Sequence, residues 1–235
     1  ELVESRPPHI PPQGGEASSP SQREGVRGRA DFPSNAQFRD TATIHNPQGD
    51  MVGYTRKVHI PSGEGYHETH FFQGEADYPV HELDSVKVAV PTCYDQWFPE
   101  MSRICALNGA EFIFYPTAIG SEPTAPEVDS QEAWQTVMRG QAIANGVYIA
   151  AANRTGVENG VTFYGSSFIC DPAGQILAQA SRDQTELVIA DLDPVRLHQW
   201  RSLFPLLHQR RPETYQPILN TMPDPPPERW QRELS

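Results

Sequence analysis

The chain has 235 residues, of which 37 % are apolar and 9 % aromatic, so it is long enough to bury the core of one or two globular domains. Eighteen basic and thirty acidic residues give a net charge of −12, which disfavours nucleic acid and anionic membranes as partners. No run approaches the roughly 20 apolar residues of a membrane-spanning helix, and the start of the sequence lacks the pattern of a signal peptide, so a cytoplasmic protein is predicted.

Composition divides the chain into three parts. Residues 1–36 hold six prolines, four glycines and five serines without an apolar period, which is typical of irregular or disordered chain. Residues 220–235 are again rich in proline, which excludes helix and central strand and predicts an extended arm. The folded domain is therefore expected within residues 37–219.

The first predicted element of this domain is a hairpin. Residues 41–45 and 51–58 have the composition of strands, and the turn between them is built on Pro and Gly. The second strand delivers Lys57 into the Gly- and Pro-rich loop at residues 61–65. Loops at strand ends are where functional sites are usually assembled.

Strands and helices then alternate. Strands are predicted at residues 86–90, 111–115, 147–152 and 186–191, with a further hairpin made by 163–170 and 175–180. Helices are predicted at residues 98–107 and after Asp129, which is a suitable N-cap for an apolar stripe containing Trp134 and Met138. This order predicts the α/β class.

Cys93 is the strongest candidate for chemistry. It follows a predicted buried strand and precedes a predicted helix, a position that favours an exposed thiolate nucleophile. Cys105 and Cys170 fall within a helix and a strand and are predicted to be small core residues. Spacing alone leaves the same structural role open for Cys93. The odd number of cysteines indicates at least one free thiol and no disulfide framework.

Three runs resemble the nitrilase superfamily of carbon–nitrogen hydrolases: CYDQWFPE at residues 93–100, GAE at 109–111 and YPTAIGSEP at 115–123. Shorter similar runs extend the resemblance over about residues 37–219, and they are most similar to the subfamily of N-carbamoylputrescine amidases. The resemblance implies a four-layer αββα sandwich. It also implies hydrolysis of a non-peptide C–N bond by a Glu, Lys, Cys triad without a metal or cofactor.

The resemblance assigns roles to individual residues. It makes Cys93 the nucleophile, places Lys57 beside the thiolate and gives Glu68 the role of positioning the lysine and the substrate. A fixed cation at Lys57 would stabilise both the thiolate and the tetrahedral oxyanion. Without the resemblance, Lys57 would be interpreted as an exposed lysine at a strand end and Glu68 as a solvated acid in a loop.

Glu122 is the candidate for substrate recognition. Its carboxylate is a suitable partner for the free ammonium of a diamine, although an exposed acid in an acidic chain is the alternative. Tyr94 and Trp97 complete the predicted substrate-binding set. The implied reaction converts N-carbamoylputrescine to putrescine, carbon dioxide and ammonia, a step of polyamine biosynthesis. The alternatives are a catalytically inactive member that acts as an assembly or binding partner, and a hydrolase of N-carbamoyl-β-amino acids.

The general base of the triad is the least supported of these residues. Family members carry it at the end of an N-terminal strand, and Glu1 in the run Glu1–Glu4 resembles that position without a preceding strand to fix it. We therefore expect a sandwich that is incomplete at its N-terminus, with an unpaired sheet edge that favours self-association into homo-oligomers. His59, His67 and His70 are expected to be solvated or hydrogen-bonded rather than metal ligands.

Overall fold

The computed structural model describes residues 38–62, 66–122 and 124–223. The predicted irregular segment at residues 1–36, Glu1 within it, and all but the first four residues of the predicted arm at 220–235 lie outside the described residues. The described chain contains ten strands, three α-helices and four short 3₁₀ helices.

The strands are β1 (Thr41–His45), β2 (Met51–Arg56), β3 (His81–Leu83), β4 (Val86–Ala89), β5 (Phe112–Thr117), β6 (Tyr148–Asn153), β7 (Thr155–Glu158), β8 (Val161–Tyr164), β9 (Phe168–Cys170) and β10 (Ile176–Gln179). The α-helices are α1 (Pro99–Leu107), α2 (Gln131–Asn145) and α3 (Pro194–Leu203). The 3₁₀ helices are Glu68–His70, Cys93–Trp97, Pro212–Thr214 and Gln216–Leu219.

Six strands form the central sheet in the order β10-β9-β6-β5-β4-β3. Strands β4, β5 and β6 are parallel and are connected by α1 and α2, while the remaining pairs of this sheet are antiparallel. Parallel neighbours need a crossover connection, and a helix supplies it twice here. The predicted α/β class is confirmed.

The pleat of the strands sends alternate side chains to opposite faces of the sheet. On one face, Ile113 and Ile149 pack against Met101 of α1 and Trp134 of α2, all of them buried. On the other face, Val88 and Val90 pack with Ile44 of the β1–β2 hairpin and with half-buried Phe112 and Phe114. The hairpin is thereby fixed over the ends of β4 and β5, which determines where Lys57 lies.

The single strand predicted at residues 163–170 is wrong. Its first residues belong to β8, which pairs with β7 in a separate hairpin, and its last belong to β9. Gly165 and Ser166 break the strand because both have positive φ, and a Cβ at Gly165 would lie 2.7 Å from the carbonyl oxygen of Arg182. The turn of the β7–β8 hairpin carries the pair Asn159-Gly160, a strong local signal for a hairpin.

The strand predicted at residues 186–191 is also wrong. This run pairs with no strand in the described part of the chain, and Leu187 and Ile189 are 85 % and 73 % exposed. A short apolar run forms a strand only where a neighbouring strand pairs with its backbone N–H and C=O groups. The sequence analysis also missed α3, which begins with an N-cap: the Oδ1 atom of Asp193 accepts a hydrogen bond from Val195 N at 2.8 Å.

The start of α2 differs slightly from its prediction. Ser130 occupies the N-cap position, but its side chain makes no capping hydrogen bond. Asp129 supplies the carboxylate instead, with Oδ1 accepting from Gln131 N at 3.2 Å. Among the described residues, no helix combines the length and the apolar surface that a membrane crossing requires.

Candidate active site

A cavity of about 610 Å³ opens where the parallel strands β4 and β5 end. Cys93 follows β4, and the loop after β5 carries Glu122. The side of the cavity nearest the β1–β2 hairpin is lined by Glu68. Ligand sites of α/β sheets commonly lie at the carboxyl ends of parallel strands.

Cys93 is held in an unusual backbone conformation. Its φ is +46°, a left-handed value that costs a non-glycine residue about 1–2 kcal/mol and occurs often at functional sites. The thiol is partly exposed and lines the cavity. The helix predicted at residues 98–107 is α1, which starts at Pro99. Cys93 itself begins a short 3₁₀ helix, Cys93–Trp97, which the sequence did not predict and which separates the thiol from α1.

The other two thiols have a different environment. Cys105 in α1 and Cys170 in β9 are buried, and this burial raises the pKa of each thiol to about 12. They are therefore protonated and unreactive at neutral pH. The prediction that both are core residues is confirmed, and the structure leaves Cys93 as the accessible thiol among the three.

Lys57 is a buried cation between two carboxylates. Its side chain is 1 % exposed, and its Nζ lies 2.5 Å from Glu68 Oε2 and 3.3 Å from Asp40 Oδ2. Burial by itself lowers the pKa of Lys57, but the combined negative charges of Cys93, Glu68 and Asp40 outweigh it and raise the pKa above its ordinary value. An ammonium with a raised pKa is thereby kept in the field of the Cys93 sulfur.

Asp40 was missed by the sequence analysis. It directly precedes β1, and its carbonyl oxygen accepts a hydrogen bond from Lys57 N at 2.9 Å. The register of the hairpin pairs Thr41 with Arg56, which places Asp40 opposite Lys57. The hairpin was predicted correctly, so its register was the signal that could have identified Asp40.

Glu122 is held by a hydrogen bond to its side chain, and the loop that carries it is held against β8 by its backbone. Its Oε2 accepts a hydrogen bond from the Tyr66 hydroxyl at 2.8 Å, and burial together with this bond raises the pKa of Tyr66. Next to it, Ser121 N donates to Thr162 O at 2.8 Å. At Gly120 a Cβ would lie 2.3 Å from that same oxygen, so only glycine allows the loop to approach β8 so closely.

The walls of the cavity are largely aromatic and aliphatic. Tyr94 and Trp97 of the 3₁₀ helix line it, together with Ile119, Val128, Val161 and Phe163. Of the charged residue types, the described lining holds only acids, Glu68 and Glu122, and no Lys, Arg or His. The structure thus brings five of the six residues selected from the sequence to one cavity, and buries the sixth, Lys57, against Glu68.

The histidines are engaged with other groups. The rings of His67 and His70 stack with their centroids 5.4 Å apart, and His59 Nδ1 lies 2.8 Å from Asp95 Oδ1. In the described ranges, no three His, Cys, Asp or Glu side chains are grouped in a way that could hold a metal ion.

Residues 24–202 match the protein family described as carbon-nitrogen hydrolase. The chain belongs to the carbon-nitrogen hydrolase family. It is 44 % identical over 190 residues to a citrullinase of Francisella tularensis, with 79 % of this chain and 66 % of that protein covered. It is 40 % identical over 195 residues to an N-carbamoylputrescine amidase of Solanum lycopersicum, with 79 % and 65 % covered.

Among solved structures, a carbon–nitrogen hydrolase of Helicobacter pylori G27 matches with a TM-score of 0.74 and 37 % identity, covering 78 % of this chain and 67 % of that one. This likeness confirms the nitrilase-type fold that the sequence motifs implied. The chain spans slightly less than two thirds of the length of the two curated carbon–nitrogen hydrolases.

Proposed function

We propose that this chain carries the site of a cysteine-dependent amidohydrolase that cleaves a C–N bond of a linear N-carbamoyl amine, with N-carbamoylputrescine as substrate. The observation that carries the proposal is the placement of Cys93. The thiol is held at φ +46° on the wall of a cavity, in the field of the buried ammonium of Lys57. We assign Cys93, Lys57 and Glu68 to catalysis, and Glu122, Tyr94 and Trp97 to substrate binding.

The chemistry follows from the charges around the sulfur. The Cys93 thiolate attacks the ureido carbon, and the oxyanion that forms is stabilised by the positive charge of Lys57. The bond to the terminal nitrogen breaks, and the thiol proton ends on the departing ammonia. Water then cleaves the thiocarbamate and returns a proton to the thiol, and the carbamic acid released decomposes to carbon dioxide and the amine.

Glu68 has a separate role in this scheme. Its Oε2 holds the Lys57 ammonium at 2.5 Å, and its side chain also lines the cavity. A charge-assisted hydrogen bond of this length fixes the direction of the lysine as well as its charge. The carboxylate therefore positions Lys57 and contacts the bound substrate.

The lining of the cavity favours a substrate with an alkyl chain and a cationic group at its far end. Tyr94, Trp97 and Phe163 provide apolar surface for an alkyl chain, and Glu122 provides an anionic end. Tyr66 donates to one oxygen of Glu122, which leaves the second oxygen as an acceptor for an ammonium. A carbamoylated diamine matches this arrangement of groups.

A citrulline-type substrate is the second candidate, because one similar relative is named citrullinase. Citrulline carries the same ureido group and an ammonium at the far end, but adds an α-carboxylate beside that ammonium. The described lining supplies no cationic side chain to pair with that carboxylate. A desolvated carboxylate near Glu122 would be repelled. This repulsion disfavours N-carbamoyl-β-amino acids most, and citrulline less because its α-ammonium can pair with Glu122.

The proposal is tested by measuring ammonia release from N-carbamoylputrescine, citrulline and N-carbamoyl-β-alanine under identical conditions, with intact-mass detection of a carbamoylated enzyme. We expect the highest kcat/KM with N-carbamoylputrescine and a mass adduct that is lost in Cys93→Ala. Preference for citrulline would replace the diamine assignment while keeping the reaction type. Absence of both turnover and adduct with all three compounds would support the inactive assembly partner instead.

A further inference from the structure

Asp95 is a fully buried carboxylate that accepts hydrogen bonds from its own turn and from a segment more than 30 positions earlier in the chain. Its Oδ1 accepts from His59 N at 2.9 Å and lies 2.8 Å from His59 Nδ1. Its Oδ2 accepts from Val58 N at 3.3 Å and from Thr92 N at 3.2 Å. Oδ1 is thus used by His59, and Oδ2 by Val58 and Thr92. The carboxylate therefore joins the Val58–His59 segment to the turn that contains Thr92.

The two segments joined in this way are those that carry Lys57 and Cys93. Val58 and His59 directly follow Lys57, and Thr92 directly precedes Cys93. The backbone of Lys57 is already held on its other side by Asp40 O. The Asp95 carboxylate thus fixes the separation between the strand end that bears the ammonium and the turn that bears the thiol.

Aromatic contacts form a second connection between the same segments. The ring of His59 stacks on Phe98, with centroids 3.6 Å apart and planes inclined by 5°. Phe98 in turn meets the edge of Tyr94, with centroids 5.3 Å apart. Because Tyr94 lines the cavity, His59 is linked to the substrate wall as well as to Asp95.

We propose that Asp95, together with His59, is a positioning residue that holds the Lys57 ammonium against the Cys93 sulfur. This inference rests on the proposed function, because it assigns Asp95 a role through those two groups. A displacement of about 1 Å between reacting groups is enough to lower a rate about 100-fold. A carboxylate that accepts three backbone N–H donors and also contacts His59 Nδ1 resists such a displacement more strongly than neutral acceptors do.

The test compares Asp95→Asn with Asp171→Asn. The asparagine keeps the shape of the side chain but replaces one acceptor oxygen with an NH₂ group that faces two N–H donors. Asp171 is a matched control because it is also fully buried and caps a turn, accepting from Ala173 N at 2.9 Å and Gln175 N at 2.8 Å. Both variants replace a fully buried carboxylate. The control loses the ion pair of Asp171 with Arg196, and only Asp95 joins the Lys57 and Cys93 segments.

Three quantities are measured: the Tm, the steady-state constants with N-carbamoylputrescine, and the rate at which iodoacetamide alkylates Cys93 at neutral pH. We expect both variants to lower the Tm. We expect Asp95→Asn to lower kcat about 100-fold with KM little changed, and to slow alkylation of Cys93 about tenfold. Asp171→Asn should keep the parent kcat and alkylation rate.

A variant of His59 keeps the inference testable if Asp95→Asn does not fold. His59→Phe retains a ring to stack on Phe98 and removes the Nδ1 contact with Asp95, so we expect a smaller loss of kcat, about tenfold, at an unchanged KM. A parent-like kcat and alkylation rate in the folded Asp95→Asn protein, or in His59→Phe, overturns the inference. The same loss in Asp171→Asn overturns it as well.

The two proposals fail in different ways. If the parent protein turns over no carbamoyl compound, the proposed function fails, and the alkylation rates still show whether Asp95 controls the state of Cys93. If the parent is active and the Asp95 variant is equally active, the proposed function stands and the positioning role is rejected.

Discussion

Two turns of this molecule each contain a cysteine followed closely by a fully buried aspartate. In the first, Cys93 is partly exposed, and Asp95 accepts hydrogen bonds from residues 36 and 37 positions earlier in the chain as well as from its own turn. In the second, Cys170 is fully buried, and the hydrogen bonds that Asp171 accepts come from residues 2 and 4 positions later. The first aspartate therefore joins the two segments that bear Lys57 and Cys93, whereas the second closes a local turn with one oxygen and pairs with Arg196 of α3 through the other.

The difference shows what distinguishes a functional turn from a structural one. In the Cys170 turn, Asp171 closes its own turn and pairs with Arg196, and burial of the Cys170 thiol raises its pKa to about 12. The Cys93 turn has a left-handed residue and an accessible sulfur near a buried cation. Such a combination requires support from elsewhere in the fold, and Asp95 provides it.

The largest effect is expected from exchanging Cys93 for alanine, with the two buried cysteines as controls. Cys93→Ala should abolish hydrolysis, a loss of at least about 1,000-fold, because the nucleophile is removed. Cys170→Ala and Cys105→Ala should lower the Tm but retain the parent kcat per folded molecule. Ammonia release from N-carbamoylputrescine measures the rates. Equal losses of kcat in all three variants would contradict the distinction between the accessible thiol and the two buried ones.

A loss of about 100-fold or more in kcat is expected for Lys57→Gln, because the buried positive charge near the sulfur disappears. The chain contains one other lysine, Lys87, which is exposed in β4 and provides the control. Lys87→Gln should leave kcat and KM unchanged. A parent-like kcat in folded Lys57→Gln would remove the cation from the mechanism.

Glu122→Gln should raise the KM for N-carbamoylputrescine about tenfold with a smaller change in kcat. The physical reason is the loss of a charge-assisted hydrogen bond to the substrate ammonium, worth roughly 1.5–3 kcal/mol. The KM for N-carbamoyl-β-alanine should stay the same or fall. Identical constants for both substrates in the variant and the parent would show that Glu122 does not contact the substrate.

The smallest effect is expected for Asp40→Asn and concerns pH. The carboxylate of Asp40 is one of the charges that raise the pKa of Lys57, so its removal lowers that pKa. Lys57 then loses its proton at a lower pH, and the basic limb of the kcat profile moves toward neutrality, while kcat at pH 7 falls no more than about threefold. Asp50→Asn, in the exposed turn of the same hairpin, should leave the profile unchanged.

Local signals in the sequence predicted much of the fold. The β1–β2 hairpin, the strand before Cys93 and the helices α1 and α2 were found because turn residues, an N-terminal proline and an apolar stripe act over a few positions. The Asn159-Gly160 turn and the Asp193-Pro194 cap were signals of the same kind for the β7–β8 hairpin and α3, and both were overlooked.

Contacts between distant residues were not predictable in this way. The run at 186–191 has the continuous apolar composition of a strand, but a strand exists only where another strand pairs with it, and the described residues provide none. Asp40 likewise looks like an ordinary acid before a strand. Its role beside Lys57 follows from the register of the hairpin, which is a property of the folded chain.

The sequence by itself determined the family, the α/β class and the identity of the candidate nucleophile, because these depend on residue types at fixed local spacing. The tertiary structure decided which thiol is accessible, which carboxylates share Lys57 and how Asp95 joins the two segments of the site. The physical reason is that burial and hydrogen bonds between Val58 or His59 and Asp95 depend on distances in space, which short-range patterns do not contain.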